Sequence, residues 1–215
     1  MSELAVKNAS RWAGTLAAVL VVIAVVLLWG HVFSNKAPEV VAKSPAPGTL
    51  SDIQNSETPW SADTDHLSER LRAMGLPELK TIGTALHIHP HVDIYIDGKP
   101  VEIPPYVGIN MKDNLIAAIH TYDTSGVLHI QPERVRTFTL GQFFDIWGVD
   151  FTGKRIGAYQ TDSDKTIEVF LNGKLYSGDP RGPVLKQYEE IVVAYGTTQE
   201  LPSPIPSKYD FPADY

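Results

Sequence analysis

The chain has 215 residues, a formal net charge of −7 and an ordinary hydrophobic content of 43%. This length suits one domain with flanking segments, and the acidic balance argues against a nucleic-acid partner, which would favour a basic face. Because the chain contains no cysteine, disulfides, thiolate metal sites and iron–sulfur clusters are excluded, and a metal site must use imidazole, carboxylate, tyrosine or water.

An uncharged apolar run extends from Trp12 to Phe33. It is long enough to cross a membrane as a helix, whereas a cleaved signal peptide would have a shorter apolar region and a small-residue cleavage site. The sequence therefore predicts a retained signal anchor, a transmembrane helix over residues 12–33. The basic residues on the two sides are nearly balanced, so the short amino-terminal tail, residues 1–11, decides the orientation. We expect that tail in the cytoplasm and the folded domain outside it.

Residues 34–62 are rich in proline and serine, which is typical of a flexible tether. A short helix is predicted over residues 65–75, since Leu67, Leu71 and Met74 form one apolar stripe. Asp63, Thr64 or Asp65 would cap its start, and His66 would lie on its surface.

The stretch from Leu86 to Gly98 alternates between apolar and polar residues, as a strand with one buried face does. Three histidines share the polar face: His87, His89 and His91. Alternate residues on a strand are about 6.6 Å apart, so two neighbours can bind one ion, whereas three need a bend in the strand. His89 belongs to either possible pair. The alternative is a solvated strand face that happens to be rich in histidine.

A second histidine group lies between Ile119 and Ile130. Asp123 and Gly126 favour a tight turn between two strands. A four-residue connection would place His120 opposite His129, with side chains on one face, whereas a bulged turn would place them on opposite faces. We expect the first register, because it also matches Ile119 with Ile130.

The remaining segments complete a mainly β (α+β) domain over residues 63–198. Thr137 to Gly148 predicts a capped helix with an aromatic core face, and residues 167–174 predict a hairpin. Residues 191–195 predict a buried closing strand. The proline-rich tail, residues 199–215, carries aromatic residues that favour docking on the domain.

Together the histidines predict a divalent metal site for copper or zinc, whose common protein ligand is neutral imidazole. The expected ligands are His89, His120 and His129, with His87 or His91. Five histidines could instead hold two ions. The candidates for a supporting shell around the ligands are Asp93, Tyr95, Tyr122 and Asp123.

These motifs resemble a group of uncharacterised prokaryotic membrane-anchored proteins that carry a histidine-rich extracytoplasmic domain. The resemblance covers most of residues 65–198, including the histidine strand and the run from Ile119 to Ile130. The group has a histidine where this chain has Tyr122, so this position departs from the pattern. The resemblance implies a membrane anchor and supports the histidine site, and it names no reaction.

Two other functions stay open at this point. A His-x-His strand with a histidine on another strand also occurs in zinc hydratases and cupin-type metalloenzymes, where an open metal position supports catalysis. A structural or interaction domain could instead use the histidines as a pH-sensitive surface. The sequence does not decide whether the protein is an enzyme.

Overall fold

The computed structural model describes residue 50, residues 52–213 and residue 215. The predicted cytoplasmic tail, the transmembrane helix and most of the linker lie outside these residues. Within the described part of the chain, no helix combines the length and the apolar character that a membrane span requires. The described residues form one mainly β domain with two short α-helices, which confirms the predicted fold class for this part of the chain.

The described residues form two α-helices and twelve β-strands. They are α1 Leu67–Ala73, β1 His91–Ile96, β2 Lys99–Val101, β3 Ile109–Asn110, β4 Leu115–Ile116, β5 Ile119–His120, β6 His129–Ile130, α2 Leu140–Trp147, β7 Phe151–Thr152, β8 Arg155–Ile156, β9 Tyr159–Gln160, β10 Thr166–Leu171, β11 Lys174–Leu175 and β12 Glu190–Gly196. A short 3-10 helix, Thr198–Glu200, follows the last strand.

The main sheet has five strands in the order β11-β10-β12-β1-β2. β12 runs parallel to β1 and antiparallel to β10, and every residue of β12 is buried. A strand that is paired on both edges and covered on both faces is expected to be apolar throughout. The prediction of a buried closing strand over residues 191–195 is therefore confirmed.

Helix α2 supplies much of the aromatic core. Thr139 and Gln142 form a capping box at its start, and Gly148 ends it with φ +80°. The predicted core face is buried as expected: Leu140, Phe143, Phe144 and Trp147. The ring of Phe144 also stacks on that of Phe151, with centroids 4.2 Å apart.

The last residues of the predicted linker, 52–62, pack on the domain. Trp60 is 2% exposed, and its ring meets that of Trp147 edge to face at 5.7 Å. The backbone N–H of Gln54 donates to the carbonyl oxygen of Gly148. Proline and serine content indicated a tether here, but one buried tryptophan attaches this segment to the core.

Helix α1 is confirmed, and its start differs from the prediction. His66 is the N-cap residue and provides no side-chain capping hydrogen bond. Asp63, one of the three predicted caps, instead pairs with Arg70 at 2.9 Å. The Arg70 side chain is fully buried and also donates to the carbonyl oxygen of Ile146 near the end of α2. A buried guanidinium needs such partners because its desolvation is costly.

The predicted histidine strand is shorter than its alternation indicated. β1 begins only at His91, while Ile88 forms an isolated bridge to Ile130. Pro90 has no N–H to donate to a neighbouring strand, which interrupts the ladder between these two parts. The segment therefore changes partner along its length, and this change separates the histidines.

Candidate metal centre

Strand register brings His89 to His129. The segment before β1 is aligned with β6 by two antiparallel bridges, Ile88 with Ile130 and His91 with Val127. Because both bridges belong to one register, His89 lies opposite His129 on the same face. Their ring centroids are 4.7 Å apart.

The second hairpin adds His120 to the same row. β5 and β6 pair His120 with His129 and Ile119 with Ile130, which confirms the predicted register. The rings of His120 and His129 are nearly parallel, at 11°, with centroids 5.7 Å apart. Three neighbouring chain segments thus each contribute one imidazole to one face.

Three of the predicted ligands converge: ligand nitrogens of His87, His89 and His129 all lie within 4.8 Å of one another. His89 and His129 are buried, whereas His87 is exposed at the edge of the group. Nitrogens that share a tetrahedral ion at about 2.0–2.1 Å are about 3.4 Å apart. Side-chain rotations that move the nitrogens by about 1 Å would therefore allow all three to bind one ion. We call these three residues and His120 the histidine cluster.

His120 is held in the tautomer that a metal ligand needs. Its Nδ1–H donates to the carbonyl oxygen of Ala117 at 3.0 Å, so Nε2 carries the lone pair. Among the described residues, no hydrogen bond to Nε2 has normal geometry. The side chain of Gln131 lies close enough to interact with the ring. Burial lowers the pKa of His120 to about 4. The imidazole is therefore neutral near pH 7.

His129 is neutral for a related reason. Burial, together with the neighbouring imidazoles of His89, His120 and His87, lowers its pKa to about 4. Protonating one ring of such a group places positive charge beside the others. Imidazoles that stay neutral near pH 7 keep a nitrogen lone pair, so the cluster is chemically suited to binding a cation.

Of the two alternatives, His87 and His91, the structure brings His87 to the histidine cluster and places His91 in another group. Its Nδ1 lies 2.8 Å from Oε2 of Glu190, and its Nε2 lies 2.8 Å from the carbonyl oxygen of Ser125. The ring also stacks on Tyr209 at 3.9 Å. Burial lowers the pKa of His91, but the hydrogen bond and charge of Glu190 outweigh this and raise it.

Glu190 is a candidate residue that the sequence did not reveal. It belongs with His91 and Asp93 to a second group whose ligand atoms lie within 4.8 Å of one another. Glu190 is 1% exposed, and burial raises its pKa although its hydrogen bond to His91 opposes this. The available signal was a pair of acidic residues, 189 and 190, at the start of an otherwise apolar strand. Asp93, predicted to support the histidines, lies in this group instead.

Two tyrosines border the histidine cluster. The ring of Tyr122, 41% exposed, lies 4.6 Å from that of His129 and 4.9 Å from that of His120. Tyr215 stacks on His89 with centroids 4.6 Å apart, and its carbonyl oxygen accepts a hydrogen bond from the hydroxyl of Tyr188. The tail thus docks on the domain as its aromatic residues indicated.

Asp123 shapes the turn between β5 and β6. Its carboxylate accepts a hydrogen bond from the N–H of Ser125, and this bonding lowers its pKa. A third group, Asp52 with His66 and Glu69, lies at the surface. His66 is 3.0 Å from Asp52 there, which agrees with its predicted place outside the histidine site.

Comparison with known proteins gives no assignment. No protein-family model, no curated protein and no solved structure matches the chain. The resemblance of its motifs to membrane-anchored histidine-rich proteins therefore stays a prediction. The described residues contain groups of histidine and acidic side chains that could hold a metal ion.

Proposed function

We propose that this protein is a membrane-anchored, extracytoplasmic metal-binding protein that holds Cu²⁺ or Zn²⁺ in the histidine cluster. The observation that carries the proposal is the convergence of three imidazoles, with ligand nitrogens within 4.8 Å of one another. Two of the three rings are buried, and the ring of His120 lies beside that of His129 with centroids 5.7 Å apart. A solvated strand face would leave the rings exposed and apart.

The ligand chemistry supports copper and zinc over other divalent ions. The converging set contains imidazole and no carboxylate, and imidazole suits Zn²⁺ and Cu²⁺ whereas Mg²⁺ and Ca²⁺ require oxygen ligands. A site of this kind binds Cu²⁺ more tightly than Zn²⁺ by the usual affinity order. Which ion is held in the cell then depends on its availability.

The proposed location rests on the uncharged run from Trp12 to Phe33. Protease added to intact cells that express the full chain should remove the domain and leave an anchored fragment. Protection of the domain until the membrane is opened would reverse the proposed orientation. The function would then be intracellular metal binding.

Calorimetric titration of the full chain, purified in detergent micelles, tests the metal site. We expect Cu²⁺ and Zn²⁺ to bind, and substitution of a buried ligand, as in His89→Ala or His129→Ala, to weaken binding at least tenfold. His66→Ala is the matched control, because His66 belongs to the surface group with Asp52 and Glu69 and not to the histidine cluster. Equal affinity in all of these variants would refute the proposed site.

A metalloenzyme is the second candidate function. If Nε2 of His120 does not reach the ion, the other three imidazoles leave a fourth position open toward the exposed side at His87. A zinc-bound water there would be acidified and could attack an ester or carbon dioxide. The spectrum of the Co²⁺ form distinguishes four nitrogen ligands from three nitrogens and water. Hydrolysis of a nitrophenyl ester by the zinc form, lost in His129→Ala, would support catalysis.

A further inference from the structure

A second group of ligating side chains lies on the main sheet. His91 and Asp93 alternate on β1, and Glu190 begins the parallel neighbour β12. The register pairs His91 with Glu190, so all three side chains lie on one face of the sheet. One ligand atom of each residue lies within 4.8 Å of the others. We call these residues the sheet group.

The imidazole of His91 has the arrangement of a metal ligand. Ser125 offers a carbonyl oxygen, which only accepts, so the Nε2 of His91 carries a hydrogen. Metal-bound histidines commonly donate their second N–H in this way, which fixes the ring and leaves the other nitrogen for the ion. That other nitrogen, Nδ1, faces Oε2 of Glu190 at 2.8 Å.

The spacing requires little adjustment to admit an ion. Two atoms bound to one ion at about 2.1 Å and at right angles are about 3.0 Å apart. The separation of 2.8 Å between Nδ1 of His91 and Oε2 of Glu190 is only slightly shorter. Asp93 is half-buried beside them and supplies a second carboxylate.

The environment of Glu190 is an independent indication that a cation binds to the sheet group. The side chain of Glu190 is 1% exposed, no N–H or hydroxyl group of the described residues donates to its Oε1, and a second carboxyl group, that of Asp93, lies within interaction range of Glu190. A buried carboxylate oxygen without a donor loses the solvation that it had in water. A bound cation would restore that interaction.

The charges of the sheet group also favour a bound cation. Among the described residues, neither Asp93 nor Glu190 forms an ion pair with a lysine or an arginine. With His91 neutral and both carboxylates ionised, the group carries two negative charges. One divalent cation would neutralise both charges, whereas protonation of His91 would neutralise only one of them.

We propose that His91, Asp93 and Glu190 form a second divalent-cation site, separate from the histidine cluster and suited to Mn²⁺. Two carboxylates and one imidazole match the ligands that Mn²⁺ accepts, while an imidazole-only set favours copper and zinc. Alternate residues 87–93 would then serve two sites of different preference: the first two residues serve the histidine cluster and the last two serve the sheet group.

Titration of the full chain with Mn²⁺, followed by the loss of the free-ion electron paramagnetic resonance signal, tests this site. We expect one Mn²⁺ per chain, with affinity reduced at least tenfold in Asp93→Asn and in Glu190→Gln. Asp93→Asn leaves the buried pair of His91 and Glu190 intact, so this variant keeps the test valid if Glu190→Gln does not fold. Glu168→Gln, on the neighbouring strand β10, is the matched control and should bind as the wild type does.

The double variant His89→Ala/His129→Ala separates this proposal from the proposed function. It should lose the copper and zinc site yet bind Mn²⁺ within twofold of the wild type. Retained Mn²⁺ affinity in Asp93→Asn, loss of Mn²⁺ in the double variant, or no Mn²⁺ binding by the wild type would each overturn the second site. None of these results bears on copper binding by the histidine cluster.

Discussion

His89 and His129 face each other across an antiparallel pair, with ring centroids 4.7 Å apart. Neither lies in the same segment as the other, and each has a further histidine beside it: His87 lies 4.4 Å from His89, and His120 lies 5.7 Å from His129. The pair is therefore the centre of the cluster. Its geometry depends on the register of two strand pairings rather than on the spacing within one motif.

Removing one member of the pair should reduce the stabilisation of the fold by metal. A ligand that binds only the folded state raises the free energy of unfolding by about 2.7 kcal/mol when its concentration is 100 times Kd. We expect Zn²⁺ to raise the melting temperature of the wild type and of His66→Ala, and to raise that of His129→Ala by clearly less. Differential scanning calorimetry with and without metal measures this. An equal rise in His129→Ala would show that the stabilising ion binds elsewhere.

The metal-free protein should lose stability as pH falls below 6.5, because burial lowers the pKa of His120 to about 4. The unfolded chain takes up a proton at this histidine near pH 6.5, while the folded chain does so only near pH 4. Between pH 7 and pH 5, linkage predicts a loss on the order of 2 kcal/mol from His120 alone. Urea unfolding in the presence of a chelator measures it.

The matched variant for this pH dependence is His120→Asn, which lacks the titrating group. Its free energy of unfolding should change less than that of the wild type between pH 7 and pH 5. The His91 pKa shifts upward, so its contribution has the opposite sign and is shared by both proteins. Identical pH dependence in the two proteins would contradict the neutral, buried state of His120.

Gly126→Ala should destabilise the turn that aligns the histidines. Gly126 has φ +82°, and a Cβ there would lie 2.6 Å from the carbonyl oxygen of Val92. The left-handed conformation alone costs a residue with a side chain about 1–2 kcal/mol, and the close contact adds to this. Gly153→Ala is the control, since its Cβ would meet only Pro180 at 3.7 Å. Chemical unfolding should show a clear loss for Gly126→Ala and a change within about 0.5 kcal/mol for Gly153→Ala.

Local signals predicted the parts of the site that are close in sequence. The pairing of His120 with His129 follows from one short turn and two matching isoleucines, because a tight connection leaves few registers. Helix α2 was predictable for a similar reason, since its cap residues Thr139 and Gly148 are local.

The long-range strand pairings could not be predicted from the sequence. Alternation placed His89 and His91 on one face, but it carried no information on which strands would lie beside each of them. His91 meets Glu190 through a parallel pairing 99 residues away, and His89 meets His129 through an antiparallel one. Trp60 was missed likewise, because the composition around it indicated a linker and only its burial reveals the contact.

Tyr122→His should strengthen metal binding. The ring of Tyr122 lies 4.6 Å from that of His129 and 4.9 Å from that of His120, so an imidazole at this position adds a nitrogen at the edge of the cluster. We expect Cu²⁺ and Zn²⁺ affinity to rise by about tenfold, because an extra ligand from a nearby strand position adds a metal bond at small entropic cost.

Tyr122→Phe distinguishes this gain from the loss of the phenol. That variant keeps the ring beside His129 and should bind copper within twofold of the wild type. The electron paramagnetic resonance spectrum of the Cu²⁺ form should gain nitrogen coupling in Tyr122→His alone. Unchanged affinity and spectrum in Tyr122→His would place the ion on the far side of the cluster, toward His87 and away from β5.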